Sequence, residues 1–278
     1  MGKFSQLIQD VIRLCAKYLP MYLSGMKNTV LLALIGTVLG CIIGFICGVL
    51  NAIPYDTNAP LGRRVLIRTL RAVIRGYVEV FRGTPMVLQA VFIYYALPYF
   101  TDGAARFSSV WAASILVVSI NTGAYMTESV RGGIISVDPG QVEGAMAIGL
   151  THIQAMMYVI LPQAVRNILP QIGNNYIINL KDTSVMFMIS FTDFFAVHRG
   201  VVGATYSYFP SAVIEMIGYL TMTLISSFLL RKVEQRMEGS SSFELVVSDP
   251  LTLTSGVYRH PVSEELFKER SRDYKGKD

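Results

Sequence analysis

The sequence predicts an all-α membrane protein with about five transmembrane helices and a helical cytoplasmic loop. Of the 278 residues, 52% are hydrophobic and 15% are charged, whereas a soluble globular chain carries about 25% charged residues. The charged residues are also unevenly placed, because 13 of the 43 lie in the last 40 positions. The first 238 residues are therefore apolar enough to reside in a bilayer.

Five apolar stretches are long enough to cross a hydrocarbon core, which takes about 20 helical residues. They cover residues 29–53, 77–99, 110–127, 169–189 and 210–230. Because the number of stretches is odd, the two termini are expected on opposite sides of the membrane.

The basic residues beside these stretches predict the orientation, because Lys and Arg are retained on the cytoplasmic side. The loop at 101–109 carries Arg106 alone, whereas the loop after the first stretch carries Arg63, Arg64, Arg68, Arg71 and Arg75. The N-terminus is therefore expected outside and the C-terminus in the cytoplasm. The opposite orientation is favoured by the N-terminal cations Lys3, Arg13, Lys17 and Lys27.

Three segments follow from this arrangement. Residues 1–21 are predicted to be an N-terminal interfacial segment, with an amphipathic helix at 4–19 whose cations face lipid headgroups. Residues 22–238 are the transmembrane domain, including a cytoplasmic loop at about 137–163. Residues 239–278 open with Gly-Ser-Ser-Ser and are rich in charge, which predicts a flexible cytoplasmic tail.

The chain lacks the residue patterns of a catalytic, metal-binding or nucleic-acid-binding protein. No zinc-site spacing occurs among Cys15, Cys41, Cys47, His152, His198 and His260. No G-x-x-x-x-G-K-[ST] loop occurs either, so no cofactor or metal is expected on this chain, and any energy from ATP would have to come from a partner. The net charge of +5 comes from cations flanking apolar stretches, which argues against a nucleic-acid partner and for a lipid bilayer.

Glycines recur every fourth residue in the first apolar stretch, at Gly36, Gly40, Gly44 and Gly48. This spacing places them on one face of a helix, where their small size lets another helix approach closely. The stripe predicts helix packing, since glycine supplies no side-chain chemistry.

The loop at 137–163 has the end signals of two short helices. Gly149 is placed to end the first helix in a left-handed cap, and Thr151 with Gln154 forms a capping box that starts the second. A tight turn at Gly149 and Leu150 would join the two helices. Cap chemistry alone leaves open whether this hairpin fits a socket on another protein or is an ordinary loop.

The residues of this hairpin resemble the cytoplasmic coupling loop of ABC importer permeases, an E-A-A-x-x-x-G motif followed by I-x-L-P. The matching residues are Glu143, Ala145, Gly149, Leu161 and Pro162. Gly144 replaces the first alanine and Val159 replaces the isoleucine. Gly144 costs about 1 kcal/mol of helix propensity relative to alanine, which is too little to abolish a short helix.

Three further stretches resemble the branch of that family that takes up polar amino acids of the histidine, glutamate, glutamine, arginine and opine type. They are YVEVFRGTPMVLQ at 77–89, AYMTESVRGG at 124–133 and NLKDTSV at 179–185. The four motifs occur in the family's order between about residues 22 and 238. The resemblance implies an ABC importer permease fold in the cell (inner) membrane.

The same resemblance implies the partners. They are two ABC ATPase subunits, a second copy of this chain or a sister permease, and an extracytoplasmic amino-acid-binding protein. The ATPases would act on the permease through the coupling residues Glu143, Gly144, Ala145, Gly149, Leu150, Thr151 and Pro162.

Polar residues inside the apolar stretches mark a candidate substrate path, because such groups rarely face lipid. Glu79, Arg82 and Thr84 lie at the start of the second stretch, where Glu79 and Arg82 either pair with each other or form a gate or a substrate contact. The fourth stretch carries Gln171, Asn174, Asn175, Asn179, Lys181 and Asp182 within one helical arc. This arc either lines the path, or Lys181 and Asp182 are neutralised by a neighbouring subunit.

The sequence therefore predicts the membrane-spanning subunit of an ATP-driven importer of polar or charged amino acids, which performs no covalent chemistry itself. One alternative is a secondary transporter driven by an ion gradient, with Lys181 and Asp182 as the ion-linked pair. Internal repeats typical of such transporters are absent from the five stretches. A second alternative, a scaffold assembled through the glycine stripe, leaves the polar arc without a role.

Overall fold

The computed structural model describes residues 2–52 and 60–237, and all its regular elements are helical. The elements are α1 (Lys3–Ala52), α2 (Leu61–Gly83), α3 (Met86–Phe100), α4 (Val110–Ile135), α5 (Pro139–Ala147), α6 (His152–Ala155), a π turn (Met156–Ile160), α7 (Leu161–Asp182), a 3-10 helix (Thr183–Ile189), α8 (Phe194–Thr205) and α9 (Tyr208–Met237). The all-α prediction is confirmed. The predicted tail at 239–278 lies outside the described residues.

Three helices, α1, α4 and α9, are long and apolar enough to cross a membrane. The number rises to five if each of two bent helix pairs counts as one span. The first pair is α2 with α3, and the second is the run His152–Ile189 with α8. This agrees with the predicted total of about five, although two of the spans are broken.

Helix α1 continues without a break through the predicted boundary at residue 21. Its 50 residues would extend about 75 Å at 1.5 Å per residue, more than twice the thickness of a hydrocarbon core. The first half of the helix is held in place by side-chain burial, because Leu14 and Tyr22 pack with Phe194 and Val201 in one apolar cluster. The interfacial position of residues 1–21 remains a prediction.

The predicted second span at 77–99 is not one straight helix, because α2 and α3 meet at an angle of 113°. Thr84 has an extended backbone (φ −122°, ψ 146°) and Pro85 is the residue preceding α3. Proline disfavours a helical conformation in the residue before it and has no N–H to continue the hydrogen-bond ladder. The helix therefore ends at Gly83 and restarts at Met86.

The glycine stripe of α1 lies directly against α4, whose facing residues repeat with the same spacing of four. A Cβ atom at Gly40 would lie 2.6 Å from Thr122 Cβ, and one at Gly48 would lie 2.6 Å from Val130 Cβ. Gly36 and Gly44 face the two other members of the row, Val118 and Met126. These separations leave no space for a side chain, so the two helix backbones approach as closely as glycine allows.

The apolar core follows the α1–α4 pair. One cluster contains Leu32, Val117 and Met186, and brings the 3-10 helix onto the pair. Another contains Val130 and Ile168, and brings α7 onto the same pair near the other end of α4. The end of α7 is therefore held beside the middle of α4, where the polar residues of both helices meet.

Candidate functional site

The loop at 137–163 forms a compact helical hairpin. Helix α5 is capped by Asp138, whose Oδ1 accepts the N–H of Gly140 at 2.7 Å, and Pro139 occupies the first turn. At the other end Gly149 has φ +87°, a left-handed conformation. The N–H of Gly149 donates to Met146 O at 3.0 Å and that of Leu150 to Ala145 O at 3.1 Å. This pair of bonds is a Schellman motif, and it fixes the direction of the chain after the helix.

The second helix of the hairpin begins with the predicted capping box. The N–H of Gln154 donates to Thr151 Oγ1 at 3.3 Å, and the N–H of Thr151 donates to Gln154 Oε1 at 2.9 Å. From His152 the chain stays helical through the π turn and α7, with Pro162 in the first turn of α7. The second helix of the hairpin and α7 are therefore one continuous helical run.

The tip of the hairpin exposes apolar side chains. Ile148 and Ile153 are 80% and 76% exposed, while Ala145 is buried beneath them. Glu143 and Gly144 are also exposed. Exposed apolar side chains at a helical turn, beside polar ones, are typical of a protein-binding surface.

A polar cavity of about 520 Å³ lies between the α2–α3 junction, α4 and α7. Its lining consists of Arg82, Gly83, Thr84, Pro85, Met86, Asn121, Thr122, Tyr125, Asn175, Ile178, Asn179 and Asp182. Five residues of the predicted substrate path are thus brought together: Arg82, Thr84, Asn175, Asn179 and Asp182. The bend at Pro85 creates this cavity, because it turns α3 away from the axis of α2.

Amide side chains fix the walls of the first cavity. Asn179 Nδ2 donates to the hydroxyls of Thr37 at 2.8 Å and Thr122 at 2.9 Å, which connects α7 to α1 and α4. On the opposite wall Gln89 Nε2 donates to Thr84 Oγ1 at 2.9 Å, and Asn121 Nδ2 donates to Gln89 Oε1 at 2.9 Å. The satisfied amides are held rigid, and Arg82 and Asp182 supply the charges of the lining.

The charged residues of the second stretch do not pair as one alternative predicted. The guanidinium carbon of Arg82 lies 5.4 Å from the centroid of the Tyr125 ring, a cation–π contact. Within the described part of the chain, neither of the two ion pairs involves Glu79 or Arg82. On α4, Arg131 Nη2 lies 2.9 Å from Glu128 Oε2, an ion pair between residues three positions apart.

Four predicted path residues do not line the first cavity. Gln171 and Asn174 are exposed one to two turns before Ile178, Glu79 is exposed on α2, and Lys181 lines a different cavity. Only part of the predicted arc of α7 lines this cavity, and the role of the other residues in a path stays a prediction. The α-helical period also ends at Asp182, where the 3-10 helix begins.

The three lining residues on α4, Asn121, Thr122 and Tyr125, were missed by the sequence reasoning. Their spacing of i, i+1 and i+4 places them on neighbouring faces of the third span, and a lone amide at Asn121 in an apolar stretch was the available signal. No group of three or more His, Cys, Asp or Glu suited to a metal ion occurs in residues 2–52 and 60–237.

Residues 59–239 match the family described as the binding-protein-dependent transport system inner membrane component. The chain belongs to this family. Among known proteins, the chain is similar to the glutamine transport system permease protein GlnP of Escherichia coli K12, with 32% identity over 221 residues, covering 79% of this chain and 94% of GlnP. The arginine transport system permease protein ArtQ of Bacillus subtilis is 31% identical over 222 residues, covering 80% of this chain and 94% of ArtQ.

Solved structures of ABC transporters share the fold. The crystal structure of an amino acid ABC transporter with histidines superposes with a TM-score of 0.69 at 34% identity, covering 80% of this chain and 96% of that one. An inward-facing structure of the MetNI methionine ABC transporter gives a TM-score of 0.59 at 18% identity, with 80% and 96% coverage, and supports the fold alone. The predicted ABC importer permease fold is confirmed.

Proposed function

We propose that this chain is the membrane-spanning subunit of an ATP-driven importer that translocates polar or charged amino acids delivered by an extracytoplasmic binding protein. The observation that carries the proposal is the family match over residues 59–239, together with relatives named as glutamine and arginine permeases. The inferred partners are two ABC ATPase subunits and either a second copy of this chain or a sister permease. ATP and Mg²⁺ would be bound by the ATPases.

The helical hairpin is proposed as the contact with the ATPase. Glu143, Gly144, Gly149 and Thr151 are exposed on it, and the apolar Ile148 extends from its turn. Exposure of apolar side chains to water is unfavourable, and their burial in a complementary groove of a partner would stabilise the complex. The full proposed contact also includes the buried Ala145, the half-buried Leu150, and Pro162 in the first turn of α7.

The first cavity is proposed as part of the substrate path. Arg82 offers a guanidinium to a carboxylate, Asp182 offers a carboxylate to an ammonium group, and the amides between them donate and accept hydrogen bonds. A zwitterionic amino acid presents both charges, so a lining with one charge of each sign complements it. Mechanically, binding and release of ATP on the partner would bias two arrangements of the helices around this cavity.

The orientation proposed is N-terminus outside and C-terminus in the cytoplasm, from the distribution of arginines after α1. The hairpin and the arginine-rich start of α2 are then cytoplasmic, and the loop between α3 and α4 faces outward. A cysteine placed at exposed Ser108 should react with an impermeant thiol reagent in intact cells, on a background with the native cysteines replaced. A cysteine at exposed Gln141 should react only after permeabilisation, and the reverse result would contradict the orientation.

Reconstitution tests the proposed function. The chain is purified from membranes with the proteins it retains, placed in proteoliposomes with the binding protein, and supplied with radiolabelled L-glutamine, L-arginine and L-histidine. Uptake is expected only with ATP on the ATPase side, and dissipating ion gradients should leave it unchanged. Uptake by the chain alone, driven by an ion gradient without ATP, would refute the proposal.

A further inference from the structure

The first half of α2 is a basic amphipathic helix. Five arginines lie between Leu61 and Arg75, and the first acidic residue of α2 is Glu79. At 100° per residue, four of these arginines fall within an arc of about 60°. This arginine row consists of Arg64, Arg68, Arg71 and Arg75. It forms one positive edge along about three turns of the helix.

An exposed apolar row runs along the same helix. Leu66 and Val73 are 68% and 64% exposed, and Val80 continues this apolar row at the same interval of seven residues. By the helical period, the apolar row lies about 170° from the arginine row. The helix therefore carries positive side chains on one side and exposed apolar side chains on the opposite side.

A third face of α2, between the two rows, packs on the protein. Ile74 and Val78 are buried, and the Tyr77 hydroxyl donates to Ile120 O of α4 at 2.6 Å. These contacts fix the rotation of α2 about its own axis, so both rows keep their directions relative to the other helices. Because α2 meets α3 at 113°, α2 lies nearer to the membrane plane than to the bilayer normal when α3 is close to that normal.

Arginines opposite an apolar face are typical of a helix that lies in the interface of a membrane. The apolar side chains leave water when they enter the acyl region, which is favourable. The guanidinium groups bind phosphate oxygens, often through two parallel hydrogen bonds. Each arginine near an anionic membrane surface raises the affinity for that surface about fivefold.

The arginine row also has contacts inside the protein. Arg64, Arg68 and Arg71 each have an interaction of their own within the chain. A guanidinium has five N–H donors, so it can keep an internal contact and bind a phosphate as well. Arg68 and Arg75 are exposed, whereas Arg64 and Arg71 are half-buried. Replacing the two exposed arginines therefore tests the row with the least effect on packing.

We propose that the first half of α2 is a binding site for anionic phospholipids, with headgroup phosphates on the arginine row and acyl chains against the apolar row. A soluble phosphate would leave the apolar row in water, and an apolar face of another protein would leave the arginines without a counter-charge. An anionic lipid satisfies both rows. The site goes beyond the proposed function, because it requires only that the chain lies in a bilayer.

Fluorescence quenching at the apolar row identifies the lipid beside it. The chain has one tryptophan, Trp111, whose ring packs against Phe191, and Trp111→Phe keeps an aromatic ring there. Leu66→Trp on this background places the only tryptophan on the apolar row. The full chain is reconstituted in phosphatidylcholine vesicles that contain brominated phosphatidylglycerol or brominated phosphatidylcholine at the same mole fraction. The ratio of the two quenching efficiencies gives the lipid preference at this position.

The expected preference is about fivefold or more for phosphatidylglycerol at low salt, and it should decrease at high salt. Arg68→Gln with Arg75→Gln should bring the ratio close to one, while quenching by brominated phosphatidylcholine persists because the apolar row is unaltered. Arg68→Lys with Arg75→Lys keeps both charges and should keep most of the preference. The matched control, Arg106→Gln with Arg199→Gln, removes two exposed arginines outside α2 and should leave the ratio unchanged.

Four results would overturn the lipid site. Equal quenching by the two brominated lipids would show no preference for an anionic headgroup, and absence of quenching by either lipid would show that protein covers the apolar row. A larger loss of preference with inorganic phosphate than with chloride at equal ionic strength would assign the row to a soluble anion. Loss of preference in the lysine variant, with a lower Tm, would assign the arginines to internal packing. ATP-driven uptake is measured separately, so none of these results decides the proposed function.

Discussion

Replacing Gly149 with valine should uncouple the chain from its ATPase. The residue has φ +87°, and a Cβ there would have no heavy atom within 4 Å, so the cost comes from the backbone alone. A left-handed conformation costs an L-residue about 1–2 kcal/mol, and a β-branched one is at the upper end. About 2 kcal/mol shifts the equilibrium between this turn and other conformations roughly 30-fold.

The turn directs the chain from α5 into α6, so its loss should displace Ile148 and Ile153 from their positions at the tip. The expected result is a large fall in ATP-driven uptake and in the amount of ATPase retained on purification, with the membrane helices still folded. Both are measured on the same preparation, with a thermal unfolding curve as the check on folding.

Two control variants separate backbone strain from added bulk. Gly149→Asn should retain most coupling, because asparagine tolerates the left-handed region better than other L-residues. Gly144→Val adds the same side chain at an open helical position of the same hairpin, where nothing lies within 4 Å of the Cβ. Normal uptake and normal ATPase retention in Gly149→Val would refute the reasoning, and so would equal losses in Gly149→Asn and Gly149→Val.

Three further changes have defined expected outcomes. A Cβ added at Gly40 would lie only 2.6 Å from Thr122 Cβ. Gly40→Leu should therefore destabilise the α1–α4 pair by about 3 kcal/mol or more, measured as a lower membrane yield and a lower Tm. An unchanged Tm would contradict this packing. Gly144→Ala should stabilise α5 by about 1 kcal/mol and at least preserve coupled ATPase activity, whereas a loss of helicity in amide exchange would be the contrary result. Arg131→Ala removes a pair with Glu128 whose side chains are 42% and 32% exposed, so the free energy of unfolding should change by less than about 1 kcal/mol; a larger loss would show that the pair is desolvated in the assembled transporter.

The sequence predicted local structure best at positions where a residue type favours one particular backbone conformation or cap. Gly149 was expected in a left-handed cap, and Thr151 with Gln154 in a capping box, and both are present. The glycine stripe likewise predicted a helix-packing surface, because a spacing of four residues defines one face of a helix. These features depend on neighbours within a few residues, so no knowledge of the tertiary structure was needed.

The site itself was only half predictable. Arg82, Asp182 and Asn179 were selected as polar groups inside apolar stretches, but the bend at Pro85 that opens the first cavity was not anticipated. An angle of 113° between α2 and α3 depends on how both helices pack against the rest of the molecule, which a hydropathy pattern does not record.

The helical run from His152 to Asp182 has a mechanical consequence. At 1.5 Å per residue its 31 positions measure about 45 Å. His152, at the start of the second helix of the hairpin, and Asp182, at the first cavity, are therefore the two ends of one helical run. A rotation imposed at the hairpin end reappears at Asp182 unless the π turn at Met156–Ile160 or the interruption at Pro170 absorbs it, since both weaken the hydrogen-bond ladder of the helix. The stiffness of the run at these two points therefore sets how much of a rotation at the hairpin reaches Asp182.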